Sequence, residues 1–191
     1  MQFKQDYNHP QDYYWFNNGF SQTELNLIYS NVQTLSSQSA LTAGNDVSKE
    51  IRSSKVKWIP NNSQWNWLYE KLMTLITMAN KSLWNFDIIT GDELIQYTEY
   101  HASDDGHYTW HQDFGPDYLS HRKVSITVQL SKDSEYEGGD LEIWGGSGPI
   151  QTPRGAGSTI IFPSYMLHRV TKVTRGVRKS FVLWVGGSHY R

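Results

Sequence analysis

Cysteine is absent from the 191 residues, and this one absence removes three kinds of chemistry. No disulfide can staple the chain, no thiolate can hold a metal, and no cysteine can act as a nucleophile. Neither sign of charge dominates, since 17 Lys and Arg stand against 19 Asp and Glu for a formal net charge of −2. No run of basic residues offers a stripe for nucleic acid, so no such partner is expected. Long apolar runs are also missing, and Met1 to Asp6 has no apolar leader core, so a cytoplasmic protein with no membrane partner is expected. No repeat, low-complexity tract or linker divides the sequence. Its length suits one domain over residues 1–191, able to bury a full core without staples.

Aromatic residues are plentiful, with eight Trp and twelve Tyr, most of them expected to pack in the core. Ser21-Gln22-Thr23-Glu24 is a capping-box pattern, and Leu25, Ile28, Val32 and Leu35 follow at helical spacing, predicting a helix over Gln22 to Leu35. Ser36 to Ser48 reads as a loop, and Ile51 to Ile59 as a strand with Val56 and Trp58 on its apolar side. Beyond Pro60, Ser63 is a candidate N-cap for a second amphipathic helix through Trp65, Leu68, Leu72, Leu75, Ile76, Ala79 and Leu83. Neither helix carries a metal-ligand pair four residues apart.

After Trp84 the pattern becomes short apolar segments separated by Gly, Pro, Asp and Ser: Leu94–Tyr100, Tyr108–Phe114, Val124–Leu130, Leu141–Trp144, Ser158–Phe162, His168–Val173 and Arg178–Val185. Short strands punctuated this way argue for a β-sandwich or barrel. The expected fold is mainly β with flanking α. Its double-stranded β-helix (jelly-roll) core, about 91–187, is covered by N-terminal helical support, about 1–90.

His111 and Asp113 are two apart, so on a strand both would project from one face. With His168 they could supply two imidazoles and a carboxylate to one metal, leaving the opposite side open, which suits non-haem Fe(II) and O2. The other histidines carry no such pattern: His9 and His189 lie near the termini, and His101, His107 and His121 fall in loop-like stretches. Ten residues past His168, across an expected turn at Thr174-Arg175-Gly176, comes Arg178, with Ser180 on the same strand face. A guanidinium fork and a hydroxyl could hold the far end of a diacid.

These residues carry a family resemblance. His111-Gln-Asp113, His168 and Arg178 at this spacing resemble the Fe(II)/2-oxoglutarate-dependent oxygenases, in their prolyl-4-hydroxylase-like branch. Tyr108-Thr-Trp-His111-Gln-Asp113, Glu137-Gly-Gly-Asp-Leu141, Phe162-Pro-Ser, and Val173 to Arg178 with Trp184 six further on are similar to that branch's motifs. Arg52-Ser-Ser-Lys-Val-Lys-Trp58 is similar to the strand before its substrate lid. The resemblance covers about Ile51 to Val185. It implies a jelly-roll enzyme with Fe(II), 2-oxoglutarate, O2 and ascorbate as expected cofactors. His111, Asp113 and His168 would be the catalytic metal ligands, and Arg178, Ser180 and Tyr100 would bind 2-oxoglutarate, with Tyr97 a rival for Tyr100. Tyr108, Arg122 and Trp184 would face the substrate. Gln129 stands where some prolyl hydroxylases have a cosubstrate-binding Tyr. Collagen-type enzymes have Lys at the Arg178 position, so this Arg does not point to their substrate.

The expected substrate is a prolyl residue of a protein or peptide, entering between the Ser36–Lys57 and Phe114–Arg122 loops. A free amino acid or other small molecule is the alternative. Two further readings stay open: a cupin-like metalloenzyme using the triad without 2-oxoglutarate, and a non-catalytic β-sandwich binding module.

Overall fold

The computed structural model describes residues 13–41, 48–89 and 93–188. Its strands are β1 (Tyr14–Phe16), β2 (Gln38–Ser39), β3 (Arg52–Ser53), β4 (Lys55–Ile59), β5 (Ile95–His101), β6 (His107–His111) and β7 (Arg122–Gln129). They continue as β8 (Tyr136–Gly138), β9 (Leu141–Trp144), β10 (Pro149–Gln151), β11 (Thr159–Pro163), β12 (His168–Val170) and β13 (Val173–Gly186). Helix α1 (Gln22–Val32) lies between β1 and β2, and α2 (Asn66–Leu83) between β4 and β5.

The capping box forms as the sequence predicts. Glu24 donates its amide to the Ser21 hydroxyl at 3.3 Å and accepts the Ser21 amide at 2.7 Å. Helix α1 stops at Val32, short of Leu35, and α2 starts from Trp65 without a side-chain cap, so Ser63 is not its N-cap. Both helices turn their apolar stripes onto one face of a sheet: Leu25, Ile28, Leu68, Leu72 and Ile76 pack with Ile95, Tyr97, Val124, Ile126, Val128 and Phe181. Each such fully buried side chain contributes about 1.5–3 kcal/mol before its neighbours' losses are counted.

Two antiparallel sheets face each other. The larger runs β1-β11-β7-β13-β5-β4-β2 with β8 beside β13, and the smaller runs β10-β9-β12-β6-β3. Strand alternation divides the side chains of the larger sheet between its two faces. On β5, Ile95 and Tyr97 face the helices, while Gln96 and Tyr100 face the smaller sheet. On β11, Ile161 belongs to the helix side, and Ile160 and Phe162 to a second apolar cluster with Leu141, Ile143 and Val170. This is the jelly roll the sequence pattern implies, with helices covering its larger sheet. Among the described residues, no helix is long and apolar enough to cross a membrane.

Three local expectations change. Ile51 to Ile59 is not one strand: β3 joins the smaller sheet and β4 the larger, and Trp58 is 38% exposed while Ile59 is buried. There is no hairpin at Thr174 to Gly176, because β13 runs unbroken from Val173 to Gly186. Gly176, at φ +71°, sits instead where β13 pairs with β8, so close to the Glu135 carbonyl that a Cβ would be 2.1 Å from it. The residue needed there is glycine, but for a close approach rather than a reversal. Finally, His101 and His107 are strand residues, ending β5 and opening β6, whereas His121 closes a single 3-10 turn.

Candidate metal centre

His111, Asp113 and His168 come together between the sheets, their ligand atoms all within 4.8 Å of one another. His111 and His168 are cross-strand partners in β6 and β12, and their ring centroids lie 4.1 Å apart. Asp113 is not on the strand with His111, because β6 ends at His111. Its position comes from the backbone instead, where the amides of Asp113 and Phe114 both donate to the Ser164 carbonyl at 2.9 Å. The carboxylate reaches 3.9 Å from His111 Nε2 and 3.5 Å from His168 Nε2.

Hydrogen bonds around the triad set which atoms point inward. Nδ1 of His111 lies 2.8 Å from the Thr109 carbonyl, and Nδ1 of His168 lies 2.9 Å from the Met166 carbonyl. A carbonyl can only accept, so both rings carry their proton on Nδ1 and turn the Nε2 lone pair towards Asp113, as metal-binding histidines do. Ser125 donates to Asp113 Oδ2 at 2.7 Å and is itself 3.0 Å from the Ser164 hydroxyl. Burial pushes His111 down to about 3, with His168 adding to the shift. Burial would raise Asp113, but the two histidines, Ser125 and the Trp184 indole outweigh it and hold the carboxyl below its usual value. Two imidazoles that turn Nε2 inward and one ionised carboxylate are the donor set that a divalent iron needs. Ser125→Ala is expected to weaken Fe(II) affinity about 10–100-fold with the fold intact, read by metal titration.

Arg178 and Ser180 stand on β13, in the facing sheet. Arg178 is 1% exposed, donates to the Ser180 hydroxyl at 3.1 Å, and leaves Nε without a partner among the described residues. Its guanidinium lies 5.4 Å from the Tyr100 ring centre. Burial lowers its pKa, while Tyr100 and Tyr136 act the other way. Gly139, at φ +62°, lets the chain pass here, since a Cβ would lie 3.1 Å from Arg178 Cδ. Triad, Arg178, Ser180, Tyr100, Tyr108 and Trp184 all line one cavity. Its donor atoms fit a metal at one end and an anion at the other.

Several sequence-based expectations now have positions. Tyr97 lies on the helix side of β5, its hydroxyl donating to Glu99 at 2.9 Å, so of the two tyrosines only Tyr100 faces the cavity. Tyr108 stacks on His111 at 3.4 Å between ring centres. Trp184 faces Asp113, its indole N–H directed to the carboxylate without a hydrogen bond of full geometry among the described residues. Gln129 is buried, with Oε1 unpartnered among the described residues. Arg122, expected to face substrate, is already occupied. It holds Glu93 through two nitrogens, one of them at 2.7 Å, and covers the Trp184 ring at 4.1 Å.

Sequence reasoning missed Ser125, Ser164, Gln96 and Thr127. Counting by two along β5 and β7 from Tyr100 and Gln129 would have found all but Ser164. His9, His189 and part of the Ser36–Lys57 loop lie outside the described residues.

A jelly roll that gathers two histidines and a carboxylate between its sheets offers a candidate mononuclear, open-sided metal centre. Residues 95–186 match the model of the 2OG-Fe(II) oxygenase superfamily. Within that matching segment the triad is the candidate iron site. Similar curated proteins are a PKHD-type hydroxylase of Acidovorax ebreus, 38% identical over 89 residues (44% of this chain, 39% of that protein), and one of Synechococcus sp., 31% identical over 112 residues (56% and 51%). The chain thus spans about half the length of these relatives or less. Among solved structures, a Trichoplax adhaerens prolyl hydroxylase in complex with a hypoxia inducible factor peptide fragment superposes with TM-score 0.77 at 21% identity, covering 92% of this chain and 84% of that one. A Pseudomonas putida prolyl-4-hydroxylase gives TM-score 0.70 at 16% identity, covering 95% and 94%. The fold is that of the prolyl hydroxylases.

Proposed function

We propose that the protein is an Fe(II)- and 2-oxoglutarate-dependent dioxygenase that hydroxylates an unactivated C–H bond, its substrate a prolyl residue of a protein or peptide. The observation that carries this is Arg178, a guanidinium buried in the cavity of the triad with no carboxylate partner among the described residues. An uncompensated buried charge costs several kcal/mol, which a dicarboxylate would offset. This favours a 2-oxo diacid over a cupin-like use of the triad alone, and over a binding module that needs neither feature.

His111, Asp113 and His168 would hold iron through Nε2, a carboxylate oxygen and Nε2. Arg178 and Ser180 would hold the distal carboxylate of 2-oxoglutarate, with Tyr100 and Tyr136 beside it. Bound there, iron, 2-oxoglutarate and O2 supply the oxidation of a C–H bond to an alcohol. The protein's own residues do the rest. Ser125 keeps Asp113 oriented, and Phe162, Leu141, Val170 and Val182 exclude water from the cavity. Tyr108 and Trp184 wall the side next to the triad. The prolyl assignment draws on the structural neighbours, a prolyl hydroxylase in complex with a peptide fragment among them.

Succinate release with Fe(II), 2-oxoglutarate and ascorbate as reductant tests the proposal. Proline-containing peptides should raise it above the level seen without substrate. Absence of both succinate formation and 2-oxoglutarate binding would sink the assignment.

A further inference from the structure

Six arginines fall among the described residues, and they divide by burial in an unusual way. Arg122, Arg154, Arg169 and Arg175 each pair with a carboxylate: Glu93, Asp140, Glu142 and Glu137. The two most buried, Arg178 at 1% and Arg52 at 7% exposure, pair with none among the described residues. Ordinarily the buried cation is the one that needs an anion. Both line the cavity of the triad. Arg178 is accounted for by the cosubstrate, and Arg52 is not.

Among the described residues Arg52 is held in place but not neutralised. Strand β3 pairs it with Tyr108, and its guanidinium covers the Tyr108 ring at 4.7 Å, the same ring that stacks on His111. Its Nε donates to the Ser54 hydroxyl at 2.9 Å and Nη2 to Gln96 Oε1 at 2.6 Å, both neutral acceptors. The cation–π contact and the two neutral acceptors supply no opposite charge, which a buried cation ordinarily requires. Arg52 also lines a second, roomier cavity of ≈ 220 Å³, with Ser39, Lys49, Ser53 and Lys55. Asp104 is the acid there, and it is engaged by Lys55 at 3.5 Å. The guanidinium therefore stands between the metal cavity and a basic antechamber.

We infer that Arg52 is a substrate-binding residue and that the substrate carries a carboxylate close to the carbon that is hydroxylated. This rests on the oxygenase reading for the assignment of Arg178 to the cosubstrate. The carboxylate has two possible sources: the α-carboxylate of a free or C-terminal imino acid, or an acidic side chain next to the target residue in a peptide. Arg122 cannot serve in its place, being paired with Glu93.

The test is calorimetric titration of protein loaded with redox-inert Mn(II) and 2-oxoglutarate. Loading is measured first, so that failure of the oxygenase reading shows at that stage. Two matched pairs then serve as probes: L-proline against L-prolinamide, and acetyl-Pro-Asp-amide against acetyl-Pro-Asn-amide. The acid of one pair should bind about tenfold or more tighter than its amide, as a charge-assisted contact implies, and which pair responds identifies the source. Arg52→Gln should abolish the difference and Arg52→Lys keep part of it, with 2-oxoglutarate affinity unchanged in both. The inference is overturned if neither acid is preferred, if Arg52→Gln retains the preference, or if that variant loses 2-oxoglutarate instead.

Discussion

Replacing His111 by Ala, or Asp113 by Asn, should lower Fe(II) affinity by more than about 100-fold, beyond what loss of a supporting hydrogen bond costs. The two changes attack the centre differently. His111→Ala removes an inward-facing Nε2 whose direction is fixed by the Thr109 carbonyl. Asp113→Asn keeps the shape of the side chain and removes the charge, placing an amide among two imidazoles and the Ser125 hydroxyl. Metal titration monitored through Co(II) absorption would read both, with circular dichroism confirming the fold. Wild-type affinity in both variants would mean that the triad is not the metal centre.

Arg178→Gln should raise the Kd for 2-oxoglutarate by about 10²–10³-fold, since truncating one member of a buried charge pair costs about 3–5 kcal/mol. Metal affinity should stay within about threefold, because no triad atom bonds to Arg178. Calorimetry on the two ligands separately distinguishes a ligand-binding role from a structural one. Loss of metal and 2-oxoglutarate together would show that Arg178 is holding β13 in place rather than an acid.

How much of this was legible in the sequence depended on distance along the chain. His111, His168 and Arg178 lie on strands, where a period of two predicts which side chains share a face. The same rule separates Tyr100 from Tyr97. Asp113 is brought to the histidines by two amides that bond to Ser164, not by the strand alternation from which its position was expected. Gly176 was read as a reversal because glycine serves both turns and close approaches, and only the Glu135 carbonyl distinguishes them. The Glu93–Arg122 pair was out of reach, since nothing local connects a loop acid to the start of β7. Short edge strands such as β1 gave too few residues for any period to register.

The absence of a hairpin between His168 and Arg178 has a consequence for size selection. Only Thr171 and Lys172 separate β12 from β13, which belong to opposite sheets. The crossing is pinned at both sides, with the Thr171 amide on the Asp140 carbonyl at 2.9 Å and the Val173 amide on the Gly106 carbonyl at 2.8 Å. The chain therefore works as a caliper, one jaw carrying the triad and the other Arg178, with its opening set by a tethered two-residue link. A one-residue insertion there would turn Arg178 to the helix side of the sheet. For a diacid held as proposed, the carbon count that spans both jaws would be written into the connection and not into the cavity walls.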